Sequence, residues 1–226
     1  MRIKYTYSIL LLLGVIATIV ACKKTPDPIF HFEYFGLQEG RYVIYDAMEV
    51  THDADSDIHD TVEYQLKTIW KDIYIDNEGR EGREFHRYVR NNPGDTWVLK
   101  DVWYGLFDGI RGELVEENKR VVKLVFAPTL EKEWDANAYN MEEPLECFYT
   151  DIHDPITVGA TSFDSTLIVE QDEYYTLLDT IRKYEVYAKG IGLVKKYYRD
   201  EFYQFGDPEV VLGKDIFYNF ISTGVE

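Results

Sequence analysis

Apolar and polar positions alternate along much of this chain with a period of two. Val62, Tyr64, Leu66, Thr68 and Trp70 fall on one face, and Glu63, Gln65 and Lys67 on the other. Val122, Leu124 and Phe126 alternate against Val121, Lys123 and Val125, and Tyr184, Val186 and Ala188 against Glu185, Tyr187 and Lys189. Successive side chains on a strand point to opposite faces, so this spacing marks half-buried strands. Nineteen tyrosines and twelve phenylalanines favour the same assignment, because aromatic side chains fit a pleated surface.

Turn residues punctuate the pattern at hairpin-like intervals. They include Asn77-Glu78-Gly79, Asn91-Asn92-Pro93-Gly94, Asp108-Gly109, Asp154-Pro155 and Gly206-Asp207-Pro208. Strands are expected near 40–50, 60–75, 83–91, 96–106, 118–127, 145–152, 163–171, 181–189, 192–204 and 214–222. A helical period is present for one turn after Gly112, through Leu114, Val115 and Asn118, before Val121-Val122-Lys123-Leu124-Val125-Phe126 restores a strand. About ten short strands without a long helix predict an all-β antiparallel meander. Curling or closing such a sheet removes the edges that invite aggregation. The expected fold is therefore a curved half-barrel or closed barrel, with a two-sheet sandwich as the alternative.

The N-terminus breaks the pattern. Arg2 and Lys4 precede a nearly uninterrupted apolar run from Ser8 to Val20, shorter than the ~20 residues that cross a bilayer and suited to a secretory h-region. Ile19-Val20-Ala21-Cys22 then resembles a lipobox, in which cleavage before the cysteine leaves Cys22 as an acylated first residue. Residues 1–21 are thus expected to be a lipoprotein signal peptide, 22–29 a lipidated end and proline-bearing spacer, and 30–226 a single domain. The tether makes the membrane a partner through Cys22. Palmitate-like acyl chains contribute ~0.8 kcal/mol per buried CH₂.

Charge narrows the partners. The formal net charge of −17 becomes −19 when Arg2 and Lys4 leave with the signal. An acidic domain repels nucleic-acid phosphate and anionic membrane surfaces, and no basic stripe offsets it, so nucleic-acid binding is disfavoured. With Cys22 acylated, Cys147 has no intramolecular partner. It is expected to be a small buried hydrophobe in Leu145-Glu146-Cys147-Phe148-Tyr149, and the core must supply stability without disulfides.

Three segments carry candidate chemistry. Asp53, Asp55 and Asp57 have the D-x-D-x-D spacing of a calcium loop. Ile58 stands where such a loop needs glycine, and Tyr64 where it needs a bidentate glutamate. His52 and His59 would instead suit a transition metal. The competing expectation is a solvated hairpin tip. Trp134, Asn137, Tyr139 and Asn140, in Trp134-Asp135-Ala136-Asn137-Ala138-Tyr139-Asn140, could stack on a sugar ring and bond its hydroxyls. The same residues make a self-capping turn, since Asn and Asp side chains bond nearby backbone. Gly190-Ile191-Gly192 lacks the third glycine and following helix of a nucleotide fingerprint and suits a tight bend or bulge between strands.

Catalysis finds no constellation. Glu116-Glu117 and Glu142-Glu143 are adjacent pairs, and neighbours on a strand point apart, so neither makes an acid–base dyad. Ser162 and Ser165 lack a G-x-S-x-G elbow.

Lys123-Leu124-Val125-Phe126-Ala127-Pro128, the Trp134–Asn140 segment, and Tyr184-Glu185-Val186-Tyr187-Ala188-Lys189-Gly190-Ile191-Gly192-Leu193-Val194-Lys195 resemble uncharacterised outer-membrane lipoproteins common in Bacteroidetes-type bacteria. The resemblance implies a lineage and a compartment and carries no catalytic residue. Surface export in these bacteria is associated with an acidic pair soon after the lipidated cysteine. Lys24 and Thr25 depart from it, which implies the periplasmic face of the outer membrane.

The sequence therefore leaves a non-enzymatic, monomeric lipoprotein domain with three roles open: a binding module for an apolar or lipid-like small molecule, an envelope scaffold that docks a protein partner and fills its interior with its own side chains, or a glycan-binding accessory protein.

Overall fold

The computed structural model describes residues 29–206 and 208–226. The signal segment and Cys22 lie outside them. Twelve strands make one antiparallel sheet: β1 Arg41–Asp53, β2 Ile58–Ile75, β3 Glu81–Arg90, β4 Val98–Phe107, β5 Arg111–Glu116, β6 Lys119–Val125, β7 Glu133–Asp135, β8 Glu146–Val158, β9 Thr161–Tyr175, β10 Asp179–Ala188, β11 Gly192–Tyr203 and β12 Val210–Val225. Their order is β6-β5-β4-β3-β2-β1-β12-β11-β10-β9-β8-β7. Chain neighbours pair with each other except β6 and β7, and β1 also pairs with β12. The sheet curls into a nearly closed barrel with its seam between β6 and β7.

The seam is bridged. The Val122 amide donates to the Ala136 carbonyl at 2.9 Å, Trp134 Nε1 to the Val122 carbonyl at 3.1 Å, and Asn140 Nδ2 to the Arg120 carbonyl at 3.0 Å.

Two expectations change. The count is twelve strands and not about ten, and a single continuous sheet replaces the two-sheet alternative. The strand expected near 118–127 is β6, but the stretch of helical period before it, from Gly112, is strand β5, and the two form a hairpin. Glu117 and Asn118 adopt φ of 47° and 65° at its tip, a left-handed bend that Asn tolerates well. Strand β7 is three residues long, too short to show any period.

The core divides into two clusters. One gathers Val43, Tyr45, Ala47, Leu66, Phe163, Val186, Val194 and Phe220. The other gathers Tyr34, Phe35, Trp70, Leu124, Tyr149, Leu167, Val169 and Tyr187. Strand β10 supplies Val186 to the first and Tyr187 to the second, so it is covered on both sides.

A short 3-10 turn, Phe32–Tyr34, plugs one end of the barrel. Tyr34 is fully buried, and its hydroxyl lies 2.7 Å from both His153 Nδ1 and Ser165 Oγ. Phe35 packs on Trp70 with ring centroids 5.9 Å apart. Gly36 has φ of +69°, and a Cβ there would meet the Ile191 carbonyl oxygen at 3.0 Å. Glycine lets the chain leave the plug against the β10–β11 turn, whose Gly190 amide donates to the Glu33 carbonyl at 2.9 Å.

On the outer wall, Asp46 pairs across the sheet with Gln65 and Asn219, and Asn219 with Lys195. A polar row at mid-height is unlike the apolar band of a barrel that spans a membrane.

Candidate functional site

The interior is not purely apolar. Where the two core clusters meet, a cavity of about 70 Å³ is lined by both, with Tyr45, Trp70, Arg87, Trp103, Lys123, Glu185 and Tyr187 among its walls. Glu185 is almost wholly buried on β10. Lys123 Nζ of β6 donates to its Oε1 at 2.8 Å, and the Tyr187 hydroxyl donates to its Oε2 at 2.6 Å. Lys196 Nζ of β11 stands 3.7 Å from Glu185, and Glu116 of β5 stands 3.5 Å from Lys123.

Burial by itself would push the Glu185 carboxyl up. The Lys123 and Lys196 charges, with hydrogen bonds from Lys123 and Tyr187, overcome it and hold the carboxyl down at about 2. Burial likewise opposes the Lys123 ammonium, yet Glu116 and Glu185 raise it above the ordinary lysine range. The cluster is a chain of alternating charge, Glu116–Lys123–Glu185–Lys196. Buried ions are stable only when paired and hydrogen-bonded in this way.

Arg87 faces the same cavity from β3. Its guanidinium lies 3.8 Å from the Trp103 ring centroid, and it donates to Asp101 Oδ2 at 3.2 Å and the Tyr218 hydroxyl at 3.3 Å. Burial raises the Asp101 carboxyl against the pull of Arg87, and its Oδ1 is buried without a hydrogen-bond partner.

Away from the plug the barrel opens into a concavity of about 580 Å³, lined in part by Glu49, Val62, Tyr64 and Lys100. The Tyr64 hydroxyl donates to Glu49, and Lys100 and Lys214 stand 3.4 and 3.7 Å from the same carboxylate. Burial works against the Glu49 charge, but the Tyr64 hydrogen bond and the two lysines lower its carboxyl. The mouth thus sets this paired charge beside the apolar side chains of Ile58, Val62 and Val89.

The residues singled out from sequence fall elsewhere. Trp134, Asn137, Tyr139 and Asn140 do come together, as the loop that covers the seam. Trp134 packs on Tyr149 with ring centroids 4.8 Å apart. Asn137 Nδ2 donates to the Glu143 carbonyl at 2.7 Å, and Asn140 Oδ1 accepts from the Glu142 amide at 2.9 Å. Tyr139 is partly exposed, with the Arg120 guanidinium 4.1 Å from its ring centroid. The polar side-chain atoms of Trp134, Asn137 and Asn140 are engaged in holding the loop to itself and to β6.

At the β1–β2 hairpin, Asp53 caps a 3-10 turn over Ala54–Ser56, accepting from the Ser56 amide at 3.1 Å and its hydroxyl at 2.8 Å. Asp55 and Asp57 are exposed around it. His52 and His59 face each other across the strands, with Nδ1 atoms 3.2 Å apart. Among the described residues no group of three or more His, Cys, Asp or Glu side chains is placed to hold a metal ion. Cys147 is buried and free, and burial pushes its thiol up to about 12.

The interior charges were missed from sequence. Glu185 and Lys123 sit in strands whose alternation assigns each to the polar side, and 62 residues separate them. Lys123 and Glu185 each lie in one of the distinctive segments, but nothing in either segment announces the other.

No protein-family model matches the chain, and neither does any curated protein. Among solved structures it is similar to a candidate lipoprotein from Parabacteroides distasonis, at 12% sequence identity and a TM-score of 0.43, over 84% of this chain and 98% of that one.

Proposed function

We propose that this chain is an exported lipoprotein, held by an acylated Cys22 at the periplasmic face of the outer membrane, whose barrel is a non-enzymatic scaffold for an envelope partner. The observation that carries this reading is the interior. The cavity between its core clusters is about 70 Å³, whereas pockets for drug-sized ligands run to roughly 300–1,000 Å³, and the concavity of about 580 Å³ at the mouth is open to solvent and holds the Glu49–Lys100 ion pair. The walls of the inner cavity are mostly apolar and aromatic side chains, and the Glu116, Lys123, Glu185 and Lys196 charges among them are already paired with one another. Such an interior supports the scaffold over a carrier of an apolar or lipid-like molecule. The engaged polar atoms of the Trp134–Asn140 loop weigh against glycan binding there.

Native mass spectrometry of the purified, acylated chain tests the choice. The expected spectrum contains the polypeptide with its covalent acyl mass and nothing else, and added phospholipids or fatty acids leave the melting temperature unchanged. A stoichiometric lipid-sized adduct that survives desolvation, together with a rise in melting temperature on adding it back, would overturn the scaffold in favour of a carrier.

A further inference from the structure

We infer that the plugged end of the barrel rests on the lipid bilayer, through an apolar face built from Ile29, Phe30, Phe32, Ile110 and Leu130. This rests on the reading of Cys22 as the lipid anchor.

The five side chains are among the exposed large apolar residues of the protein, with Ile29 at 71%, Leu130 at 58% and Ile110 at 53% of full exposure. Phe30, Phe32 and the loops that carry Ile110 and Leu130 are fixed in place. Phe30 stacks on Phe32 at 5.2 Å, and Phe32 meets Phe107 and Phe126 edge-on at 4.6 and 5.3 Å. The Phe126 amide donates to the Ile110 carbonyl at 2.7 Å, which joins the β4–β5 turn to the β6–β7 loop. Lys132 Nζ donates to the Phe126 and Ala127 carbonyls at 3.2 and 3.1 Å and fixes that loop from within. An apolar surface that water already surrounds, on a fixed backbone, enters the headgroup region without an ordering cost.

Chain length says what covers it. Six residues separate Cys22 from Ile29, and at no more than ~3.6 Å per residue the acyl anchor lies within about 25 Å of this face. The opposite end is farther than that reach, because a strand of 13 residues such as β1 rises roughly 40 Å at ~3.3 Å per residue.

Acidic residues stand at both ends, but beside the apolar face Glu33 is paired with Lys189 and Asp108 with Arg111. The β1–β2 hairpin at the far end carries Asp53, Asp55, Asp57 and Asp60 with no Lys or Arg between them, and an anionic lipid surface repels it. Leu177 and Phe205 are also strongly exposed, but they stand at the far end, beyond the reach of the anchor.

The full acylated chain in vesicles of phosphatidylethanolamine and phosphatidylglycerol, carrying a nitroxide at Leu130→Cys or at Leu177→Cys, tests this; buried Cys147 does not compete for the label. The Leu130 label is expected to be relaxed more by oxygen than by a water-soluble nickel chelate, and the Leu177 label the reverse. Equal access of the chelate to both labels, with the acyl mass present on Cys22, overturns the docking and leaves the tether standing. Immersion of the Leu177 label overturns the orientation. A Cys22 without acyl mass overturns the tether and the docking with it.

Discussion

Lys123 Nζ lies 2.8 Å from Glu185 Oε1, joining β6 to β10 through the barrel interior. Both side chains are buried, so each partner makes the other's burial tolerable. Lys123→Met is expected to cost about 3–5 kcal/mol, the usual penalty for leaving a buried charge without its partner. Lys123→Met with Glu185→Leu is expected to recover most of that loss. Urea unfolding of the two variants checks it, and a double variant no better than the single one would mean that the pair is not coupled.

Two buried carboxyls give stability opposite slopes with pH. Glu185 is held down at about 2, so its contribution is present above the unfolded value of about 4.3 and lost as pH falls toward 2. Glu170, with one oxygen buried and unpartnered, is pushed up to about 7 by burial first and by Glu173 and Asp172 next, against Arg182. Its contribution is present below about 4.3 and lost as pH rises through 7. Glu170→Gln should therefore leave the urea midpoint unchanged near pH 4 and raise it near pH 8, by the linkage relation. A Glu170→Gln protein that parallels the parent at every pH contradicts the assignment.

Cys147 should be silent to thiol reagents. The reactive species is the thiolate, and burial holds this thiol at about 12. Alkylation of the folded, acylated chain with iodoacetamide at neutral pH is expected to leave Cys147 unmodified, and unfolding in urea to expose it to complete reaction. Peptide mapping reads both states. Rapid modification of Cys147 before unfolding would place it on an accessible surface.

How much of this was legible follows from distance along the chain. The strands were readable because alternation is local: Val62 through Trp70 declare β2, and Tyr184 through Ala188 declare β10. What alternation cannot declare is a strand covered on both sides. A half-buried β10 leaves Glu185 in water, and only the return of β6 to the same layer, with Lys123, takes it inside. The β5–β6 hairpin was hidden for a different reason. Its tip, Glu117-Asn118, has no glycine or proline, and Asn118 alone is a weak mark of a left-handed bend. In the Trp134–Asn140 loop the residue types allowed both a sugar platform and self-capping. The geometry of their backbone partners, which sequence does not contain, is what distinguishes them.

The plug is expected to be integral to the barrel. The Tyr34 hydroxyl, in a fully buried residue, sits 2.7 Å from Ser165 Oγ and from His153 Nδ1. Burial first, then His31 and Lys189, lowers the His153 imidazole below its ordinary value, so at neutral pH its ring is uncharged and one nitrogen can accept the Tyr34 proton. Tyr34→Phe removes both bonds while keeping the ring. At about 0.5–1.5 kcal/mol for each net hydrogen bond, the expected loss is roughly 1–3 kcal/mol in urea unfolding. Hydrogen exchange gives the local readout, because the Gly190 amide is bonded to the Glu33 carbonyl and should lose protection in the variant before the amides of β1 and β12. Unchanged stability and unchanged protection at Gly190 would mean that Phe32–Tyr34 is an appendage lying on the barrel and not the element that closes it.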